Sequence, residues 1–194
     1  MIVRSRAYRF RATVALAAIT TLIGGCATTT PQPKFTHAMV PDSRIAASDT
    51  VDVKIETADK VVVDAVARDR ITQKIKLKID ERKLKNPAAP SPRAMQVVLH
   101  VTKYEKGNAF ARAMLAGLGQ IHLEGTISVY QMPDHVLLED FDLQKTFAWG
   151  GVYGASTSIE QIEDIFTDSV AATVTGQEPP APPKAEDTTH KTSN

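Results

Sequence analysis

The chain has 194 residues, of which 43% are hydrophobic and 23% charged, a composition typical of one globular domain. Its formal net charge is +1, but the first 25 residues carry four of the 23 basic residues and none of the 22 acidic ones. The remainder has 19 basic and 22 acidic residues, a net charge of −3, so we expect no nucleic-acid partner.

The N-terminus has the layout of a secretory signal. Residues 1–11 are basic, and residues 12–23 form an apolar run that is shorter than the roughly 20 residues needed to span a bilayer. The next residues complete the sequence Leu22-Ile23-Gly24-Gly25-Cys26, which resembles the lipobox of bacterial lipoproteins. The resemblance implies cleavage after Gly25 and lipidation of Cys26, the single cysteine of the chain.

The lipobox also implies a location. Lipoproteins of this kind carry three acyl chains on the cysteine, and two chains already suffice for stable anchoring. The residue after the cysteine is Ala27 rather than the aspartate that usually retains lipoproteins in the inner membrane. The prediction is therefore a lipid anchor on the periplasmic face of a bacterial outer membrane. The alternative is a plain signal peptide, or a signal anchor, in which the cysteine is incidental.

Composition divides the chain into four parts. Residues 1–25 are the cleaved signal, and residues 26–50, rich in Thr, Pro and Ser, are predicted to be the lipidated cysteine and a flexible linker. Residues 51–176 hold the apolar periodicity of a globular domain. Residues 177–194 have too little apolar content to form a core, and we expect them to be disordered.

The periodicity within 51–176 predicts an α+β fold. Alternating apolar and polar residues indicate strands, whereas apolar residues three or four apart indicate helices. The order is β-α-β-β-β-α, which predicts a four-stranded mixed sheet with two helices packed on one face. The predicted strands are 51–55, 95–105, 120–132 and 136–149, and the predicted helices are 58–83 and 157–174.

Between the second and third predicted strands lies GNAFARAMLAGLG, residues 107–119, where a two-residue turn would have sufficed. Small residues recur every four positions in this segment, so a short helix here would carry small side chains along one side. If its larger side chains are exposed, they favour docking on a protein partner or a homo-oligomer contact; if buried, they belong to the core. The candidate contact residues are Phe110, Arg112, Met114 and Leu118.

The glycines of this segment carry a family resemblance. Gly107-Asn108, then Arg112, then Gly117-x-Gly119 entering a strand, with a second glycine cluster before the last helix, resembles the DUF4410 family of bacterial lipoproteins of unknown function. The candidate loop glycines are Gly107, Gly117, Gly119, Gly150, Gly151 and Gly154. The resemblance implies an envelope lipoprotein and no enzymatic role. One departure is the turn at residues 132–135, MPDH, where the family usually has an aspartate and a glycine.

Phosphate binding and metal binding have less support in the sequence. Segment 107–119 lacks the Gly-Lys-Ser/Thr end of a phosphate-binding loop. Four residues that fall on the polar side of the predicted sheet are of metal-ligand type, but an open sheet face is polar in any case. They are His122, Glu124, Asp140 and Asp142. We expect a non-enzymatic protein with no cofactor and no metal; the alternative is a periplasmic module that binds a small ligand or a metal on that face.

Overall fold

The structure is a computed structural model that describes residues 30–115, 118–148 and 150–179, apart from the side chain of Tyr153. The signal, Cys26 and residues 180–194 of the predicted tail lie outside the described residues. The strands are β1 (Lys34–His37), β2 (Thr50–Thr57), β3 (Ala94–Glu105), β4 (Ile121–Met132) and β5 (Val136–Phe147). The helices are α1 (Ala65–Lys83), α2 (Ala109–Met114), α3 (Gly151–Ser156) and α4 (Ile159–Val174), with a short 3-10 turn at Pro41–Ser43.

The strands form one mixed sheet in the order β1-β5-β4-β3-β2. β2 and β3 are parallel and are joined by α1, as the sequence predicted, and every other neighbouring pair is antiparallel. The β4–β5 hairpin contains a cis peptide bond between Met132 and Pro133, and His135 has a φ of 55°. These are the residues at which the sequence departs from the family's usual turn.

One face of the sheet carries the core. Val97, Leu99 and Val101 of β3 are fully buried, and the side chains between them are half-buried or exposed. The α1 residues Ile71 and Ile75 are also fully buried, as expected from apolar residues every four positions. α1 and α4 contact each other, and together they cover β2, β4 and β5. The α+β class is confirmed, but the structure has four helices rather than the two predicted, and α1 and α4 are the two that cover the sheet.

The two long helices are joined by charged side chains. Arg70 of α1 donates to both carboxylate oxygens of Glu163 of α4, at 2.6 and 2.7 Å, and the Tyr104 hydroxyl donates to the same carboxylate at 2.8 Å. Glu163 is fully buried, so the two donors replace the water that its charge loses on folding. Arg82 and Asp168 form a second pair along the same contact, at 2.7 Å.

The prediction of four strands is wrong, because the sheet has five. The additional strand is β1, which lies in the segment assigned to a flexible linker. Its sequence KFTH contains a single apolar residue, and all four side chains of this short edge strand are exposed, so no apolar alternation marks it. Ile45 and Asp49 of the same segment are buried, so the folded domain begins well before residue 51.

The start of the first long helix and the assignment of residues 150–156 to a loop also need correction. α1 begins at Ala65 rather than near residue 58, because the Asp64 carboxylate accepts from the Ala67 N–H at 2.8 Å and caps the helix there. The stretch 150–156, predicted to be a glycine-rich loop, contains α3. The last helix begins at Ile159, where Ser158 and Gln161 form a capping box.

Candidate functional site at the tip of the sheet

α2 and α3 pack against each other at one end of the sheet. β3 ends there, β4 begins there and β5 ends there, so both helices are insertions at a single end, which we call the tip. α2 is short, and Asn108 caps it by accepting from the Ala111 N–H at 2.9 Å. The segment singled out in the sequence is therefore the segment that builds the tip.

Large apolar side chains are exposed on these two helices and the residues next to them. Phe110 of α2 is 73% exposed and Val152 of α3 is 88% exposed. Single exposed hydrophobic residues are common, but several large ones in a short stretch indicate a contact surface. We call this set the tip surface; its members are Phe110, Met114, Leu115, Leu118 and Val152.

Arg112 has a different role from its neighbours. It was predicted to contact a partner, but it is only 4% exposed, and that prediction is corrected. Its guanidinium donates to the carbonyl oxygens of Gly154, Gly119 and Thr157, each at 2.8 Å. A guanidinium satisfies several carbonyls at once because its donors form a rigid planar fork. Arg112 therefore ties α2 to the start of β4, to α3 and to the residue that follows α3.

Two of the candidate glycines are required by this arrangement. Gly107 and Gly119 have φ values of 65° and 69°, in the left-handed region that disfavours side chains. A Cβ on Gly107 would also overlap the Gly119 carbonyl oxygen, and one on Gly119 would overlap that of Asn108. These glycines close the base of the tip, where the Asn108 N–H donates to the Gly119 carbonyl at 3.1 Å.

The second glycine cluster behaves differently. Gly151 also has a positive φ, 67°, but a Cβ added to it would meet nothing within 4 Å. Gly150 accepts from the Gly154 N–H at 3.2 Å, and the Gly154 carbonyl accepts from Arg112. Gly117, the remaining candidate loop glycine, lies outside the described residues.

Charges at the tip are of both signs. Lys106, just before α2, lies 3.1 Å from the carboxylate of Asp64, the cap of α1. The Ala67 N–H and then Lys106 hold the pKa of Asp64 below its usual value. The pair is exposed and contributes little to stability. The tip therefore presents apolar surface beside balanced charge rather than a basic or acidic patch.

The polar sheet face gives no support to the metal hypothesis. The His122 Nδ1 lies 3.1 Å from the Thr146 hydroxyl, and the carboxylates of Asp140 and Asp142 accept from Ser128 and Thr126 on the neighbouring strand. Within the described ranges, no group of three or more His, Cys, Asp or Glu side chains is placed to hold a metal ion. These contacts are the cross-strand pairs expected on an open sheet.

The family comparison agrees with the glycine pattern. The family described as "Domain of unknown function (DUF4410)" matches residues 40–151, more than half of the chain. The chain belongs to the DUF4410 family. The match begins at residue 40, within the segment predicted to be a linker, and ends at the start of α3. It therefore includes Gly107, Gly119 and every residue of the tip surface except Val152.

This DUF4410 chain shares its fold with a protein of known structure. The PelC dodecamer from Paraburkholderia phytofirmans superposes with a TM-score of 0.51 at 10% sequence identity, over 76% of this chain and 99% of that one. A minor lipoprotein from Acinetobacter baumannii superposes with a TM-score of only 0.33 at 15% sequence identity, over 64% of this chain and 89% of that one. No curated protein matches the chain.

Two members of the tip surface of this DUF4410 chain were not predicted from the sequence. Leu115 and Val152 are exposed apolar residues that lie beside the predicted contact residues or the second glycine cluster. The sequence did contain an indication of both residues, because Leu115 follows the predicted contact residue Met114 directly and Val152 lies in the second glycine cluster. The interior position of Arg112 had no such signal, since its three acceptors are backbone carbonyls that any sequence supplies. None of the helices among the described residues is long and apolar enough to cross a membrane.

Proposed function

We propose that this protein is a lipoprotein of the bacterial outer membrane, held by lipid at Cys26 on the periplasmic face. It works by binding rather than by catalysis, and the tip surface is its contact surface for another component of the cell envelope. The observation that carries the proposal is the exposure of large apolar side chains on two short helices clamped to the end of the sheet.

The support for anchoring comes from the N-terminal sequence. A basic segment, a short apolar run and a lipobox follow one another in register, and Cys26 is the only cysteine available for lipidation. A lone cysteine in an exported chain otherwise has no intramolecular partner. Strand β1 begins at Lys34, eight residues after Cys26, so the anchor would hold the folded domain close to the membrane.

The support for binding comes from the rigidity of the tip. Arg112 makes three charged hydrogen bonds, each contributing about 1.5–3 kcal/mol. The positive φ values of Gly107 and Gly119 fix the backbone on either side of α2. A contact surface held in place loses less conformational entropy on binding than a flexible one. The exposed side chains of the tip surface are therefore presented in a preorganised arrangement.

Self-association is a second candidate, favoured by one observation. The protein that shares this fold at a TM-score of 0.51 forms a dodecamer. Repeated copies of a lipid-anchored domain are concentrated by confinement to one membrane plane, which favours weak contacts between them. In this candidate the functional unit is an assembly of several copies rather than one domain.

Cell fractionation tests the anchor. We expect the wild-type protein in the outer-membrane fraction, with acyl mass on residue 26, and the Cys26→Ala variant released or left unprocessed. Thr28→Ala is the matched control and should behave as the wild type. The Ala27→Asp variant should move to the inner membrane. A soluble wild-type protein cut at another residue would show that the lipobox interpretation is wrong.

Light scattering of the lipid-free domain tests self-association. A stable mass equal to more than one copy would support self-association. A monomer at all concentrations would show that the domain does not self-associate without its anchor. The double variant Phe110→Ser, Met114→Ser shows whether the tip surface takes part. Leu77→Ser, at a site in α1 exposed to a similar degree, is the control for lost surface hydrophobicity.

A further inference from the structure

We propose that the tip surface rests in the lipid leaflet to which Cys26 is anchored, so that a bilayer rather than a protein covers it. This inference depends on the proposed anchoring and names the component that the tip surface contacts. It is carried by the direction in which the chain enters the sheet, by the length of chain before β1, and by the composition of the tip.

The chain enters the sheet from the tip end. β1 is antiparallel to β5, with Lys34 opposite Asp142 and His37 opposite Asp140. β5 runs toward the tip, where it ends at Phe147, so β1 runs away from the tip. Lys34 is therefore the end of β1 nearer the tip, and the proposed anchor would meet the membrane on that side.

The length of the leading segment permits contact. The eight residues from Cys26 to Lys34 span about 26–29 Å when fully extended. From the level of Asp142 to the end of β5 at Phe147 is five residues, about 17 Å at a strand rise of about 3.4 Å. The tip can therefore meet the membrane while the leading segment is only partly extended.

The opposite orientation is harder to reach. The β4–β5 turn at Asp134 lies eight residues from Asp142, about 27 Å in the other direction. To place that end on the membrane, the leading segment would have to reverse its direction and use its full length.

The composition of the tip fits the interfacial region of a bilayer. Val62 and Val66, exposed at the start of α1, add to the five apolar side chains of the tip surface. Because the Lys106–Asp64 pair balances charge at this end, attraction to anionic lipid is not the main cause of binding. Apolar insertion of a few side chains is weak alone, but an acyl anchor makes it intramolecular. We expect the contact to persist when salt is raised.

Fluorescence of the full lipidated chain in vesicles tests the orientation. Cys26 is consumed by lipid, so an introduced cysteine is the only free thiol. Val152→Cys labels the tip, and Ala88→Cys labels an exposed loop at the far end as the matched control. Each carries an environment-sensitive dye in vesicles of phosphatidylethanolamine and phosphatidylglycerol that contain nitroxide-labelled lipid.

We expect the label at residue 152 to shift to shorter emission wavelength, to be quenched by nitroxide lipid and to be protected from iodide in the buffer. The label at residue 88 should show the reverse. Adding Phe110→Ser and Met114→Ser should remove the quenching at residue 152 while the protein still floats with the vesicles through its anchor.

Three other outcomes overturn the inference, each in a different way. If both labels are open to iodide on a protein that carries acyl mass, the anchor stands and the tip is free of lipid. If residue 152 is protected from iodide but not quenched by lipid, and protection grows with protein density, a second copy covers the tip surface. If the wild-type chain carries no acyl mass and does not float, the anchoring fails and the inference fails with it.

Discussion

Glu139 is a carboxyl group in the interior, on the side of β5 that faces the core. It is 4% exposed, and among the described residues its Oε2 atom has no hydrogen-bond partner. Burial raises its pKa to about 7, although the Met39 N–H donates to the carboxyl and Arg44 lies near enough to oppose the rise. The residue joins the sheet to the segment between β1 and β2.

The raised pKa makes stability depend on pH. The native state keeps the proton of Glu139 between about pH 4.5 and 7, where the unfolded chain has lost it, so stability falls as pH rises through this window. Glu139→Gln should remove this loss: it stabilises the domain by up to about 3 kcal/mol at pH 8 and by little at pH 4. Urea unfolding at the two pH values measures the difference.

The control for this prediction is Glu81→Gln, which changes an exposed carboxylate of α1. It should leave the pH dependence of unfolding unchanged. Equal stabilisation by Glu139→Gln at both pH values would show that the effect comes from packing and not from the proton. Destabilisation at pH 8 would mean that the ionised carboxylate is well solvated in the folded state.

At the scale of elements, the two glycine clusters differ in what they tolerate. Gly107→Ala combines a φ of 65° with overlap between the new Cβ and the Gly119 carbonyl oxygen, and we expect a loss of about 2–4 kcal/mol. Gly151→Ala has a φ of 67° and open space around the Cβ, so we expect only the conformational cost of about 1 kcal/mol. Thermal or urea unfolding of both variants gives the comparison.

Equal losses at the two positions would contradict this prediction. They would mean that the base of α2 relaxes around an added methyl group and that backbone conformation alone sets the cost. Hydrogen exchange of the Asn108 amide, which donates to the Gly119 carbonyl, would report whether that contact is broken in Gly107→Ala.

Elements that bury one face could be predicted from sequence. β3 and β4 alternate because one side meets the helices, and the spacing of Ile71 and Ile75 follows from the helical repeat. In β5 the alternation misled at one end. Alternation with Phe141 and Leu143 predicts that Leu137 lies on the buried side, but the register shift opposite Val129 and Tyr130 leaves it exposed, and Leu138 packs against the core instead.

Features that depend on distant backbone could not be predicted. β1 pairs with a strand about a hundred residues later, and no local pattern marks it. The role of Arg112 depends on carbonyls brought together by two insertions at the tip. The tip surface itself was accessible to sequence reasoning, because exposure or burial of Phe110 and Met114 was the open question and the structure answers it.

For the whole molecule, the start of the domain is the main revision. Asp49 is buried and accepts hydrogen bonds from the Ala46 N–H, at 2.8 Å, and from the Arg93 guanidinium, at 2.6 Å. Asn86 donates to the carbonyls of Ile45 and Thr175. The segment between β1 and β2 is therefore fastened to the start of β3 and to the end of α4.

This fastening predicts where the chain can be shortened. A chain beginning at residue 30 should fold as the mature protein does, because it keeps β1 and Ile45. A chain beginning at residue 51 loses the buried Ile45 side chain and leaves Arg93 without its carboxylate, a combined loss of about 5 kcal/mol or more. Since small domains have total stabilities of about 5–15 kcal/mol, the shorter chain should be largely unfolded or aggregated.

A pair of aspartate variants separates this explanation from a general effect of shortening. Asp49→Ala in the full-length mature chain should lower the free energy of unfolding by about 3 kcal/mol, because it leaves a charged guanidinium and two N–H groups without their acceptor. Asp42→Ala, in the exposed 3-10 turn of the same segment, should change it by less than about 0.5 kcal/mol. If the chain from residue 51 folds with normal stability and Asp49→Ala is neutral, residues 30–50 only tether the domain, and β1 and the Asp49–Arg93 pair have no part in its stability.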